Sequence, residues 1–118
     1  MTAFRLISFS THAVIEFVGG LALMLAPFAL GLTGSGLVIP FVLGALAVGA
    51  SLGATESLPV SAHFAWDNLF VAAGLAFALG LSLTGDDTAA TVVLIAAAGQ
   101  LVLTLITRYS RSAPAPRL

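Results

Sequence analysis

The sequence predicts an all-α membrane protein, with four transmembrane helices arranged as two tandem, parallel helical-hairpin repeats. Three observations lead there. Of 118 residues 59% are hydrophobic and only 8% charged, against about 45–50% and about 25% in an ordinary soluble domain. The chain therefore lacks the polar side chains to cover a water-facing surface. Four apolar stretches, near 13–32, 36–54, 64–83 and 89–107, lie between the sparse charges. Sliding the sequence by 51 positions superposes its halves, placing His12 on His63 and Glu16 on Asp67.

Each stretch is about 20 residues long, which at 1.5 Å per residue matches a hydrocarbon core of about 30 Å. Richness in Ala, Leu and Gly, without strict alternation, argues against strands. Where no water satisfies peptide groups, the helix is the default spanning form. The first helix is expected to be capped by Ser10 or Thr11. It reads as a true span rather than a cleaved leader, because its run exceeds a typical leader core and contains Glu16. A Gly-rich turn, Gly31-Leu32-Thr33-Gly34-Ser35-Gly36, follows between Pro27 and Pro40. Both prolines are placed within helix ends, kinking rather than breaking the spans. Ser35, Ser61, and one of Asp86, Asp87 or Thr88 supply the remaining N-caps.

The charges are Arg5, Glu16, Glu56, Asp67, Asp86, Asp87, Arg108, Arg111 and Arg117. Four spans put the N-terminus, the 55–62 connection and the C-terminus on one side, together with all four arginines. Positive residues mark the cytoplasmic side, so both termini are expected there, in a bacterial inner membrane. Phe4, Phe9, Trp66 and Tyr109 fall at the same interface, where amphipathic rings settle. The tail 108–118 is polar and proline-containing, and is expected to be disordered; its arginines read as topology determinants rather than a lipid switch.

The repeats run from about 10 to 54 and about 61 to 107 within a single membrane domain. Leu32-Thr33-Gly34 meets Leu83-Thr84-Gly85, and Leu43 meets Leu94. Identities among Ala, Gly and Leu are cheap here. The chain holds only two histidines, however, so two His-x-x-x-acid pairs in register carry weight. Each unit has two spans, which gives the copies a common direction and brings both pairs to one depth.

The unit, an acid at the helix foot, a Gly-rich apolar run, Ala26-Pro27-Phe28 and then Ala29-Leu30-Gly31, resembles the SPW-repeat membrane proteins. In the second copy Phe77-Ala78-Leu79 stands in place of the triplet and lacks the proline. His63-Phe64-Ala65-Trp66-Asp67 and Thr107-Arg108-Tyr109-Ser110 carry the likeness further. The resemblance implies a fold and a membrane location, and it carries over no catalytic residue.

Composition excludes whole function classes. Without cysteine there is no disulfide, thiolate metal site, iron–sulfur cluster or cysteine nucleophile. A net charge of −1 leaves no basic footprint for nucleic acid. There is no nucleophile elbow, no phosphate loop (no lysine exists to complete one) and no nucleotide fingerprint, so no enzyme and no cofactor are expected.

The spacing i, i+4 places His12 over Glu16 and His63 over Asp67, and ionisable groups at membrane depth normally face the bundle interior. Three uses compete. The cluster pins helix 1 to helix 3; or it binds Zn, Mn or Fe; or its two acids share a proton on a proton or cation path. Pinning is favoured. The set lacks the Glu-x-x-His pair of a di-iron bundle, and Asn68, Ser82, Gln100 and Thr104 make a thin relay. No metal is expected, His12, Glu16, His63 and Asp67 being the residues that would hold one. Gln100 joins them as a buried polar group, expected to donate between helices. Small residues Ala45, Gly49 and Gly53 in helix 2, and Ala72, Ala76 and Gly80 in helix 3, are expected to permit close helix packing. The function expected is thus non-enzymatic: an accessory or scaffold subunit, or a self-associating bundle, with lipid and another membrane protein or a second copy as partners. The alternative is a small proton, cation or solute transporter.

Overall fold

In the computed structural model, which describes residues 5–54 and 59–110, the chain folds into four α-helices. They are α1 (Phe9–Ala29), α2 (Ser35–Gly53), α3 (Val60–Leu83) and α4 (Asp87–Ile106), and no named strand occurs among the described residues. All four are long and apolar enough to cross a membrane, as the sequence predicts. Phe4, Glu56, Arg111, Arg117 and most of the polar tail lie outside the described residues.

Helix starts differ from expectation in detail. Ser8, not Ser10 or Thr11, caps α1: its Oγ accepts the Thr11 N–H at 3.2 Å. The helix thereby begins early enough to bury Phe9. Gly34, with φ of 57°, precedes α2, so Ser35 is the first helical residue rather than the cap. Pro59, with φ of −58°, precedes α3 and displaces Ser61 into the first turn. Asp86 behaves as expected, accepting the Ala89 N–H at 3.2 Å.

Both hairpin turns open with the same helix-ending motif. In α1 the Leu32 N–H reaches back to Pro27 O (2.8 Å) and the Gly31 N–H to Phe28 O (3.2 Å). In α3 the Asp86 N–H reaches Leu81 O (2.9 Å) and the Gly85 N–H reaches Ser82 O (3.0 Å). The pivot must take a positive φ, which glycine supplies: 69° at Gly31 and 88° at Gly85. Structurally, Gly31 therefore matches Gly85, and the sequence alignment of Gly34 with Gly85 fails. The reason is local. The position 51 residues beyond Gly31 is Ser82, which cannot pivot cheaply, so α3 runs on until Gly85.

This extension slips the second helices. The buried residues Gly36, Pro40, Gly44, Ala47 and Ser51 of α2 correspond to Ala89, Val93, Ala97, Gln100 and Thr104 of α4, an offset of 53. Leu43, 5% exposed, consequently has no counterpart in Leu94, which is 49% exposed. At the starts of α1 and α3 the offset of 51 holds, and His12, Glu16, His63 and Asp67 are all buried.

Helix α1 packs chiefly along α2, and α3 along α4, as two antiparallel hairpins. Phe9, Ala13 and Ala54 cluster with Val60 and Tyr109. That grouping places the starts of α1 and α3 and the ends of α2 and α4 together at one end of the bundle, its foot. The rest of the interior is apolar, built on Leu23, Leu43, Phe70, Leu81 and Val93. Outside, Val18, Leu25, Leu79 and Ile95 are exposed. Apolar exterior with ionisable interior is the reverse of a water-soluble protein and suits lipid.

The small residues expected to form the crossings do not form them within the chain. Ala72, Ala76, Gly80 and Gly49 are exposed, and Ala45 and Gly53 are half-buried. The close approach is made instead by Gly20 and Gly44, where a Cβ added to Gly44 would lie 2.6 Å from Gly20 O. In the second hairpin Gly74 meets Ala97. Which small residue faces the neighbour depends on helix rotation, which a composition so rich in Ala and Gly does not encode.

Candidate functional site

The site lies at the foot, between α1 and α3. Polar side chains of the two helices reach across to one another there. His12 Nε2 is 3.0 Å from Asp67 Oδ2 and 3.6 Å from Glu16 Oε2. His63 Nε2 is 3.0 Å from Glu16 Oε1 and 3.3 Å from Asp67 Oδ1. Each histidine thus faces the carboxylate of its own helix and that of the other repeat, and the cross-repeat contacts are the shorter ones. Side-chain exposure is at most 3% throughout. The structure brings all four predicted residues together.

Gln100 does not join them. Its amide donates to Thr104 Oγ1 at 3.4 Å, one turn along the same helix, which replaces the interhelical bond expected.

Two further residues complete the site, and neither was anticipated. His12 Nδ1 lies 2.8 Å from Thr107 Oγ1, and that hydroxyl donates its own proton to Leu103 O at 2.5 Å. With the hydroxyl proton committed, His12 Nδ1–H must be the donor in the first contact. This fixes the ring orientation and points Nε2 at the carboxylates. Tyr109 donates to Asp67 Oδ2 at 2.6 Å. Burial, and then the adjoining Asp67 carboxylate, hold the Tyr109 phenol above its ordinary pKa, so it serves as a neutral donor. In the sequence Thr107 reads as the end of the fourth apolar stretch, and Tyr109 as an interfacial aromatic within the polar tail. The only available signal was that Tyr109 is the single tyrosine of the chain.

A backbone strap carries them into place. The Ile7 N–H bonds Ile106 O at 3.1 Å, and the Arg108 N–H bonds Ile7 O at 2.9 Å. Arg5 donates to Thr107 O at 2.8 Å, and Arg108 to Arg5 O at 3.0 Å. The segment before α1 is thereby laced to the segment after α4. Aromatic rings cap the cluster: Phe9 stacks on His12 with centroids 5.8 Å apart and meets His63 edge-on at 5.0 Å, while Phe64 meets Tyr109 at 4.7 Å.

The inner atoms of the cluster are close without being directed at one another. His12 Nε2, His63 Nε2, Glu16 Oε1 and Asp67 Oδ1 are buried and none makes an aligned hydrogen bond. One donor atom from each of the four residues lies within 4.8 Å of every other, a grouping able to hold a metal ion. Two carboxylates carry two negative charges, which in a low dielectric require two protons or one dication for balance. The arrangement can clamp helices, hold a cation or exchange protons. Comparison with family models, curated proteins and solved structures found no match for the chain.

Proposed function

We propose that this chain is a non-enzymatic membrane subunit that works through packing, as an accessory or scaffold element whose two hairpins are clamped by the His12/Glu16/His63/Asp67 cluster. One observation carries the reading: the buried polar side chains stop partway through the bundle. Among the described residues, His12, Glu16, Ser51, His63, Asp67, Gln100, Thr104 and Thr107 are buried, all in its foot half. Beyond them Leu23, Leu43, Phe70, Leu81, Ala89 and Val93 close the interior. The described residues of a single chain therefore offer no buried polar route from one end to the other, which a conducting role would need.

Partner and placement belong to the same proposal. Open space above Gly49 and Gly80 leaves small-residue surface for another membrane protein or a second copy. Arg5 and Arg108 at the foot favour a cytoplasmic foot in a bacterial inner membrane. Membership of the SPW-repeat proteins rests on the short motifs around Pro27 and Trp66.

Reconstitution tests the reading against transport. Proteoliposomes under a pH gradient, or a sodium or potassium gradient, are expected to leak no faster than empty liposomes. Flux above that background that disappears in the Glu16→Gln/Asp67→Asn double variant would overturn it.

A further inference from the structure

The geometry points to a mononuclear divalent-metal site at the foot, in which His12 and His63 supply imidazole nitrogens and Glu16 and Asp67 supply carboxylate oxygens, with Zn2+ the best-matched ion. The inference stands on the cluster alone and does not depend on the accessory role.

Distances come first. Ligands at about 2.0–2.2 Å from a tetrahedral ion sit about 3.3–3.6 Å from one another. The four His-to-carboxylate separations are 3.0, 3.0, 3.3 and 3.6 Å. They run to both oxygens of each carboxylate; taking one donor atom per residue, the four lie within 4.8 Å of one another, so modest side-chain shifts would gather them around one ion.

Direction comes second. Ion-paired or hydrogen-bonded groups aim an N–H at an oxygen. Here both Nε2 atoms lie near carboxylate oxygens yet form no aligned hydrogen bond, and Glu16 Oε1 and Asp67 Oδ1 accept none. Buried donor and acceptor atoms that crowd together without pairing are left available to a shared ion.

The surroundings agree. A ligating histidine usually donates its other N–H to a fixed acceptor, and a ligating carboxylate is usually held by a donor. His12 Nδ1–H on Thr107 Oγ1 and Tyr109 O–H on Asp67 Oδ2 provide one of each. His63 Nδ1 has no such partner, so Thr107 and Tyr109 orient the half of the site made by His12 and Asp67. Charge also closes, since one dication neutralises two carboxylates with both imidazoles neutral. Two imidazoles and two carboxylates on helices separated by 51 residues suit Zn2+, with Mn2+ and Fe2+ as competitors of the same ligand preference.

The test uses the full chain in mild detergent, stripped with chelator and reloaded with Zn2+ alone. Elemental analysis after desalting should find close to one Zn2+ per chain, and thermal stability should rise with Zn2+ and fall again with chelator. Co2+ in the same site should show the visible spectrum of a four-coordinate ion. Glu16→Gln should lose stoichiometric binding. Because that variant risks misfolding, Thr107→Val, which touches no ligand atom, should keep the fold and weaken Zn2+ binding about 10–100-fold. Absence of stoichiometric Zn2+ with unchanged thermal stability would overturn the inference. So would Zn2+ retained undiminished by a folded Glu16→Gln chain, or an unaltered affinity in Thr107→Val.

Discussion

Asp67→Ala is expected to be the most damaging single substitution in this chain, lowering stability by about 3–5 kcal/mol. Asp67 is fully buried and touches His12 at 3.0 Å, His63 at 3.3 Å and the Tyr109 hydroxyl at 2.6 Å. Removing it deprives the Tyr109 hydroxyl of its acceptor and both imidazoles of a carboxylate at contact distance, and leaves Glu16 as the cluster's one acid. Desolvation sets the scale. An ordinary interhelical hydrogen bond in a membrane contributes about 0.6 kcal/mol, with a maximum near about 1.7 kcal/mol. Asp67→Asn preserves shape and one acceptor oxygen, so its loss should be smaller. Tyr109→Phe removes one donor from a carboxylate that keeps its other contacts, at about 1–3 kcal/mol. Chemical unfolding in mixed micelles, with chelator present throughout, checks the ranking Asp67→Ala, then Asp67→Asn and Tyr109→Phe. Equal, small losses for all three would show that the cluster contributes little to holding the hairpins together.

Gly44→Val should be the second large effect, acting by a different physical cause. At the α1–α2 crossing a Cβ on Gly44 would stand 2.6 Å from Gly20 O and 2.7 Å from Met24 N. Both obstacles are backbone, so no rotamer change relieves the overlap and the helices must separate. Overpacking of this kind costs about 1–3 kcal/mol and occasionally more. Gly49→Val in the same helix is the internal control, since nothing lies within 4 Å of its Cβ position. A drop in thermal stability for Gly44→Val alone is the expected outcome. Equal tolerance of both would contradict the helix rotation described above.

These two sites also mark how far the sequence could be read. The Asp67 cluster was legible because histidine and acid are rare in this composition, so two pairs 51 residues apart stand out against the background. The spacing i, i+4 then fixes which groups share a helix face. Gly44 was not legible. Runs of small residues occur throughout α2 and α3, and selecting Gly44 over Gly49 requires the rotation of one helix against another. The register of α4 was hidden for a related reason. It depends on Ser82 failing to pivot where Gly31 does, a difference of one residue whose effect propagates through a whole helix. Thr107 and Tyr109 reach the site only because the chain ends are laced through Ile7, Ile106 and Arg108, a long-range contact with no periodic signal.

At the centre of the account is contact across the repeats: His63 of one hairpin on Glu16 of the other, 3.0 Å apart at the foot of the bundle. A double-mutant cycle addresses it directly, comparing His63→Gln, Glu16→Gln and the combined variant by equilibrium unfolding in detergent. Groups in direct contact are expected to couple by about 0.5–3 kcal/mol, and this fully enclosed pair should fall in the upper half of that range. Additivity within about 0.5 kcal/mol, as for residues that never meet, would contradict the joining of the two hairpins through these side chains.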